Sequence, residues 1–275
     1  MSLRFYRDIL GLQVIPSMVD SSSIVWMKTL DGTMVHLMEP PDGETLTMPH
    51  IAFEVEDFDA TVAALRESVY PNITDPGERH DGQKALFIND NEGNRLEFTT
   101  TSRLRASPRV ADPLGYTTET GESVVVNSPS KINILTINHV GIPIVDRAES
   151  MLMYRDLLNI KVIPHQGAGN TLAWTELLDG SMLHVINPPK TLGPRGDGRQ
   201  HTAFEVEDIE ATAEALIEDD VEIAEGIGTR CDGQHYLFIY DPDGNRIEIA
   251  TRADHSDTAR TVDENGFTSE DGVLL

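Results

Sequence analysis

The alternation of apolar and polar residues in the second half of the chain predicts a repeated order of strands and helices. Alternation indicates strands, and apolar residues three and four positions apart indicate helices. Asp146 stands where it can cap the first helix, and Gly and Asp residues mark turns between strands. The predicted strands are 136–145, 160–164, 171–177, 181–187, 202–206, 222–227, 236–240 and 246–250, and the predicted helices are 147–158 and 209–217. The order is βαβββ, twice.

The first half of the chain repeats the second half, over roughly a hundred residues per copy. The offset between matching residues is 148 at first (153 − 5) and 151 later (201 − 50). The best matches are FYRDILGLQVIPSM (5–18) with MYRDLLNIKVIPHQ (153–166), HIAFEVED (50–57) with HTAFEVED (201–208), and DGQKALFINDNEGNRLEF (81–98) with DGQHYLFIYDPDGNRIEI (232–249). We therefore predict an α+β fold of tandem paired βαβββ modules, with four βαβββ motifs in two domains.

Four segments follow from this repeat. Residues 1–101 form an N-terminal paired domain, and its first strand is expected to be missing because its helix begins almost at Met1. Residues 102–133, rich in Ser, Pro, Thr and Gly, form a linker. Residues 134–252 form the C-terminal domain. Residues 253–275 form an acidic tail without periodicity, which we expect to be a loosely held extension.

Charge restricts the partners of this protein. Asp and Glu number 46 against 21 Lys and Arg, so the formal net charge is −25, which fits either adaptation to high salt or an ordinary acidic protein. Such an excess repels nucleic acid and anionic membrane surfaces. No apolar run approaches the ~20 residues of a membrane span. The single cysteine, Cys231, excludes an internal disulfide and favours a cytoplasmic location. The expected partner is a small-molecule substrate, and homo-oligomer formation stays open.

Three residues of the C-terminal domain can meet on one face of its sheet. His139 lies near the start of the first strand, His201 opens the fifth, and Glu248 lies in the last. Because side chains alternate between the faces of a strand, each of the three can point away from the apolar residues that suit the core. Two imidazoles and one carboxylate suit a divalent metal, with Fe(II), Mn(II), Ni(II) and Zn(II) as candidates.

These motifs, in this order and repeated, resemble the vicinal-oxygen-chelate superfamily, which includes glyoxalase I, extradiol dioxygenases, fosfomycin-resistance proteins and methylmalonyl-CoA epimerase. The resemblance implies that His139, His201 and Glu248 are the metal ligands. The N-terminal domain has His36, His50 and Glu97 but no first-strand histidine. It resembles the metal-free N-terminal domain of the two-domain extradiol dioxygenases, in which the C-terminal domain holds iron.

Further residues are candidates for catalysis. His184 lies on the fourth strand, where glyoxalase-like relatives place an additional ligand, usually Glu, and we expect it to be either a fourth ligand or a group beside the metal. Family dioxygenases commonly carry a tyrosine ten residues before the glutamate, but Phe238 stands there, and the expected histidine near Thr229 is absent. Tyr236 or Tyr240 is the candidate substitute.

The resemblance leaves three functions. An extradiol-type dioxygenase that cleaves a catecholic ring with Fe(II) and O₂ needs three open metal positions, which three protein ligands leave on an octahedral ion. A glyoxalase-type lyase, isomerase or epimerase that works through an enediolate needs two, and it accommodates His184 as a fourth ligand. A non-enzymatic small-molecule binding protein, like the bleomycin-sequestering members, would lack the triad. The sequence favours the dioxygenase.

Overall fold

The computed structural model describes residues 2–21, 23–40, 50–70, 72–102, 109–112, 114–115, 117–118, 130–167, 171–187, 200–253, 260–270 and 273–274. The chain forms two compact units. The N-terminal unit consists of Gln13–Lys28 and Met34–Asn127. The C-terminal unit consists of Ser128–Leu275 together with Met1–Leu12 and Thr29–Thr33. No helix of the described segments is long and apolar enough to span a membrane.

Strands outnumber helices, so the predicted α+β class is confirmed. The helices are α1 (Ser2–Arg4), α2 (Phe58–Glu67), α3 (Arg147–Met151) and α4 (Ile209–Glu218). The strands of the N-terminal unit are β1 (Gln13–Ile15), β2 (Ile24–Lys28), β3 (Met34–Met38), β4 (Ile51–Glu54), β5 (Gly77–Glu78), β6 (Lys84–Asn89), β7 (Arg95–Thr99), β8 (Val110–Ala111) and β9 (Thr117–Thr118). Those of the C-terminal unit are β10 (Thr136–Pro143), β11 (Lys161–Ile163), β12 (Leu172–Glu176), β13 (Met182–Ile186), β14 (His201–Glu205), β15 (Ile223–Thr229), β16 (His235–Tyr240), β17 (Arg246–Ala250), β18 (Arg260–Val262), β19 (Thr268–Glu270) and β20 (Val273–Leu274).

One sheet of eight strands forms the body of the C-terminal unit, in the order β11-β12-β13-β10-β14-β17-β16-β15. Its central strand β10 runs parallel to β13 and antiparallel to β14, and thereby joins the two βαβββ halves. A bulge shifts the register of β10 between Ile137 and His139. The observed strand ends lie within two residues of the predicted ones, because the Gly and Asp residues between the strands mark the turns.

In the N-terminal unit, strands β1 to β7 form two separate sheets in place of one, with orders β1-β2-β3 and β4-β7-β6-β5. Within the described part of the chain, no strand lies between β3 and β4 where β10 lies in the other unit. The described part of the N-terminal unit therefore lacks the central strand that joins the two halves of the sheet in the C-terminal unit.

The first helix of each repeat is not a continuous α-helix. Asp146 caps α3 as predicted, and its side chain accepts a hydrogen bond from the backbone N–H of Glu149. After α3 the backbone continues as a π-helix over Leu152–Leu157, so the predicted helix over 147–158 is present, but only its first five residues are α-helical. The same change follows α1, over Phe5–Ile9. A three- and four-residue periodicity does not distinguish the two helix types over so short a segment.

The tail is not loosely held where the structure describes it, which corrects our expectation. Strands β18, β19 and β20 form an antiparallel sheet, and the side chain of Arg260 donates hydrogen bonds to the backbone oxygens of His165 and Gly167 at 2.8 Å. The fully buried Thr268 accepts a hydrogen bond from the backbone N–H of His165 at 3.0 Å. The sequence missed this hairpin because polar contacts, and not an apolar period, attach it.

The linker contains a matching hairpin, β8–β9. Sequence RVADPLGYTTE at 109–119 matches RTVDENGFTSE at 260–270, again at an offset of 151 (260 − 109). Gly115 and Gly266 both have positive φ, and a Cβ at either would lie within 2.6 Å of a side chain of β2 or β12, respectively. Both positions therefore require glycine. Each unit thus ends in its own copy of one packed hairpin.

Candidate metal centre

The three predicted ligands meet on neighbouring strands. His139, His201 and Glu248 lie on β10, β14 and β17, which are adjacent at the centre of the sheet. His139 Nε2 lies 3.0 Å from His201 Nε2 and 3.2 Å from Glu248 Oε2, and His201 Nε2 lies 3.3 Å from the same oxygen. Two ligands at right angles on one ion, each about 2.1 Å from it, are about 3.0 Å apart. The three donor atoms are therefore spaced like one face of a coordination octahedron.

The hydrogen bonding of His139 indicates that a cation would fit between His139 Nε2 and Glu248 Oε2. Its Nδ1 lies 2.9 Å from Asn138 Oδ1, which can only accept, so Nδ1 carries the proton. Nε2 of the neutral ring then presents a lone pair towards Glu248 Oε2, which is itself an acceptor. Two buried acceptors 3.2 Å apart require positive charge between them, and a bound divalent metal would supply it.

Burial sets the charge states of this cluster. It lowers the pKa of His139 to about 4, and it holds the pKa of His184 well below the usual value. Burial alone would raise the pKa of Glu248, but attraction to His139 and to the Arg230 guanidinium outweighs it and holds that pKa well below its usual value. A neutral His139 imidazole beside an ionised Glu248 carboxylate is the pair of protonation states that a metal needs in these two ligands.

His184 lies against the triad in a stack of three rings. Its imidazole is nearly parallel to that of His139, with centroids 3.8 Å apart and planes at 27°. Its other face covers Trp174, with centroids 4.3 Å apart and planes at 16°. Its nitrogen lies close to those of His139 and His201, with all ligand atoms of the three within 4.8 Å of one another. His184 Nε2 is buried and makes no hydrogen bond within the described residues.

The two tyrosines occupy different places. Tyr236 is half-buried at the near end of β16, where its ring lies 4.5 Å from the Arg230 guanidinium and 5.8 Å from the Phe238 ring. Phe238 pairs with Glu248 across the strands and contacts the His201 ring. Tyr240 is 41% exposed at the far end of β16. The structure therefore brings Tyr236 to the border of the cluster, but it does not bring Tyr240 there.

Sequence reasoning missed Arg230. Its guanidinium forms an ion pair with Glu248 Oε1 at 2.8 Å, lies over the rings of Trp174 and Tyr236, and donates a hydrogen bond to Gln234. The repeat carries a signal that could have identified it, since RHDGQ at 79–83 recurs as RCDGQ at 230–234. An arginine and a glutamine repeated beside the last-strand glutamate indicate a shared contact.

The N-terminal unit contains the corresponding cluster without a first-strand histidine. His50 Nε2 lies 2.9 Å from Glu97 Oε2, and Arg79 forms an ion pair with the other oxygen. His36 stacks on Trp26, with centroids 4.1 Å apart. Here Glu97 is neutralised by protein side chains alone.

We therefore predict one tightly bound metal per chain. Glu97 is already paired, and the described N-terminal unit supplies no third ligand beside it and His50. Elemental analysis of protein purified without chelator should give about one equivalent. A stoichiometry near two would contradict this prediction and would make His36, His50 and Glu97 a second site.

The stability of the N-terminal unit should depend on pH through His36. Burial lowers its pKa from 6.5 to about 4, so the unfolded state binds a proton more readily. The stabilisation is fully present above pH 6.5, is lost progressively as the pH falls towards 4, and totals about 3 kcal/mol at most. Urea unfolding of wild type and His36→Phe between pH 4 and 7 should show a smaller loss for the variant, whose ring preserves the stack on Trp26. Equal losses in both proteins would show that His36 titrates normally.

Comparison with known proteins identifies the family. The Glyoxalase/Bleomycin resistance protein/Dioxygenase superfamily matches at residues 1–98 and 136–249. No curated protein matches the chain significantly.

Solved structures of low sequence identity share the fold. The 2,3-dioxygenase LapB from Pseudomonas sp. KL28 is 16% identical with a TM-score of 0.67, over 92% of this chain and 88% of that one. The Mn(II)-bound glyoxalase from Novosphingobium aromaticivorans is 14% identical with a TM-score of 0.65, over 93% and 79%. Homoprotocatechuate 2,3-dioxygenase from Brevibacterium fuscum, in complex with 3,4-dihydroxyphenylacetate, is 19% identical with a TM-score of 0.61, over 94% and 77%. Because the family match covers most of its length, this chain belongs to the Glyoxalase/Bleomycin resistance protein/Dioxygenase superfamily.

Proposed function

We propose that the protein is a metal-dependent enzyme of the extradiol dioxygenase type, which opens a catecholic ring with Fe(II) and O₂. The metal is held by His139, His201 and Glu248, and Mn(II), Ni(II) and Zn(II) can bind the same donors. The observation that carries this choice is the stacking of His184 on His139.

The stacking favours three protein ligands over four. An imidazole binds a metal through a lone pair in the plane of its ring. The nearly parallel planes of His139 and His184 lie one above the other, so their lone pairs point alongside each other and not at one common point. The lone pair of His184 would therefore not be directed at the point towards which the lone pair of His139 Nε2 is directed. Three protein ligands leave three positions on an octahedral ion, the number that ring cleavage requires.

The surroundings of the donor atoms suit an aromatic substrate. Trp174, Phe238 and Tyr236 place aromatic rings around the cluster, and burial of His139 and Glu248 keeps water away from these two side chains. Iron(II) at this position would bind the two adjacent hydroxyl oxygens of a catechol. It would also supply the electron-transfer chemistry that reaction with dioxygen requires.

His184 is the group placed to handle a proton. Trp174 and His139 fix its ring from both faces, and its buried Nε2 is available for a hydrogen bond to substrate. Burial keeps the imidazole neutral, so Nε2 can accept a hydrogen bond from a hydroxyl group or donate one, according to its tautomer. Tyr236, at the border of the cluster, is the second candidate to contact substrate, whereas the exposure of Tyr240 makes it the weaker one.

A glyoxalase-type lyase, isomerase or epimerase is the alternative function. The closeness of the His139, His184 and His201 nitrogens favours it, because a turn of the His184 ring would bring a fourth ligand to the ion. Four protein ligands leave two positions, which suit a chelated enediolate. The similarity of the fold to a Mn(II)-bound glyoxalase is consistent with this alternative.

One experiment separates the two functions. The protein is loaded anaerobically with Fe(II) and tested for oxygen uptake with a panel of catechols, and in parallel with Mn(II), Ni(II) or Zn(II) for isomerisation of 2-oxoaldehyde hemithioacetals. We expect oxygen uptake with at least one catechol, together with a ring-opened product. Isomerase activity without oxygen uptake on any catechol would instead support the alternative.

A further inference from the structure

Five side chains of the C-terminal unit, all of them buried except the partly exposed Arg230, form a closed ring of contacts that connects two of the metal ligands. Glu248 Oε1 pairs with Arg230, and Arg230 donates to Gln234 Oε1. Gln234 Nε2 donates to Asn138 Oδ1 at 3.4 Å, and His139 Nδ1 donates to the same oxygen at 2.9 Å. His139 Nε2 faces Glu248 Oε2 at 3.2 Å and closes the ring.

The donor and the acceptor of each hydrogen bond in this ring are fixed by two side chains, Arg230 and Glu205. Arginine can only donate, so the Gln234 oxygen faces Arg230 and its amide nitrogen faces Asn138. A carboxylate can only accept, so the Asn138 nitrogen faces Glu205 Oε2, at 2.9 Å, and its oxygen faces His139. The Arg230 guanidinium and the Glu205 carboxylate thus fix the orientation of both amides, and the Asn138 oxygen that faces His139 requires the proton of His139 to be on Nδ1. The lone pair on Nε2 then points at the metal position.

The bulge in β10 makes this arrangement possible. Side chains of consecutive residues in a regular strand point to opposite faces, but the register shifts between Ile137 and His139. Asn138 and His139 are both buried, with exposures of 5% and 0%, and their side chains touch. The bulge thus supplies the ligand and its hydrogen-bond partner from adjacent positions.

The N-terminal unit contains only one arm of this ring. Arg79 pairs with Glu97 and donates to Gln83, as Arg230 does with Glu248 and Gln234. Gln83 Nε2 donates to the backbone oxygen of Thr100 at 2.8 Å, and Gln234 Nε2 donates to that of Thr251 at the same distance. Among the described residues, no counterpart of Asn138 or His139 follows. The arm is therefore a repeated feature of the fold, and the connection to a ligand belongs to the C-terminal unit.

We propose that Arg230, Gln234 and Asn138 are positioning residues for the metal site, which orient Glu248 and set the tautomer of His139. Arg230 engages one oxygen of Glu248 and leaves Oε2 for the metal. Asn138 presents the Nε2 lone pair, and Gln234 fixes Asn138. This proposal rests on the metal site of the proposed function but not on its reaction. Loss of one of these residues weakens metal binding although all three ligands remain.

The test measures the Zn(II) affinity of the full-length chain, stripped of metal, by competition with a chelator. Removal of such a partner of a metal ligand typically costs 10–100-fold in affinity, and we expect this loss for Asn138→Leu and Gln234→Leu. Gln83→Leu is the matched control, because it loses the same contacts to arginine and backbone, and its affinity should stay within about twofold of wild type. Thermal unfolding of the metal-free variants is measured in parallel.

A conservative double variant provides the rescue. Asn138→Asp with Glu205→Gln keeps an acceptor for His139 Nδ1 and a donor–acceptor pair at the former Asn138–Glu205 contact, so it should recover most of the lost affinity. It also keeps the proposal testable if Asn138→Leu does not fold. Wild-type affinity in Asn138→Leu and Gln234→Leu would overturn the proposal, as would an equal loss in Gln83→Leu or a failed rescue in a folded double variant. If wild-type protein bound no Zn(II), the metal site itself would be wrong.

Discussion

Replacement of His139, His201 or Glu248 by alanine is expected to abolish tight metal binding. Each change removes one of three donor atoms that lie within 3.3 Å of one another, and two remaining donors do not hold a divalent ion firmly. Metal content after dialysis should fall from about one equivalent to background. Glu248→Gln serves as a second variant at that position, because it preserves the side-chain shape beside Arg230.

The repeat supplies the control for this experiment. His50→Ala removes the residue of the N-terminal unit that corresponds to His201, and it should leave the metal content unchanged. Full occupancy in all three ligand variants would show that the triad is not the metal site. A loss in His50→Ala equal to that in His201→Ala would place metal in the N-terminal unit.

Replacement of His184 by alanine is expected to leave metal content intact and to lower turnover by about 10²-fold or more. The reason is the stack, in which the His184 ring lies parallel to that of His139 and offers its Nε2 to substrate, not to the ion. Metal content and steady-state oxygen uptake are measured on the same preparation. His36→Ala, which removes the corresponding stacked histidine of the N-terminal unit, should leave both values unchanged.

The two functions give opposite results for His184→Ala. If His184 is a ligand, the variant loses metal affinity together with activity, and the glyoxalase-type alternative gains support. If metal content and turnover both stay at the wild-type level, His184 only packs against Trp174, and the proton-handling role is wrong.

Much of the fold could be predicted because the alternation of apolar and polar residues in the sequence indicates which side chains of a strand pack in the core. Along β14 and β17, apolar side chains that pack in the core alternate with the ligands, so Ala203 and Glu248 face each other across the strands as the alternation suggested. The internal repeat then fixed the order of the elements. What the alternation could not show is the π-helical turn after α3, since its periodicity differs little from that of an α-helix over six residues.

The contacts that Asn138 and Arg230 make with the predicted metal ligands could not be predicted from the sequence, for a different reason. Asn138 reaches His139 because a bulge disturbs the regular alternation of β10, and no hydrophobic pattern reports such a bulge. Arg230 lies in the turn before β16, where strand periodicity gives no direction to a side chain. Only its recurrence as Arg79 could have drawn attention to it.

A crystal structure of the full chain loaded with metal, with the ion located by its anomalous scattering, tests the central claim most directly. We predict a single ion within bonding distance, about 2.1 Å, of His139 Nε2, His201 Nε2 and Glu248 Oε2, with the His184 ring still stacked on His139 and outside that distance. An ion bonded to His184 in the same shell would contradict the three-ligand site and the ring-cleavage function. An ion that avoids the triad altogether would contradict the metal centre itself.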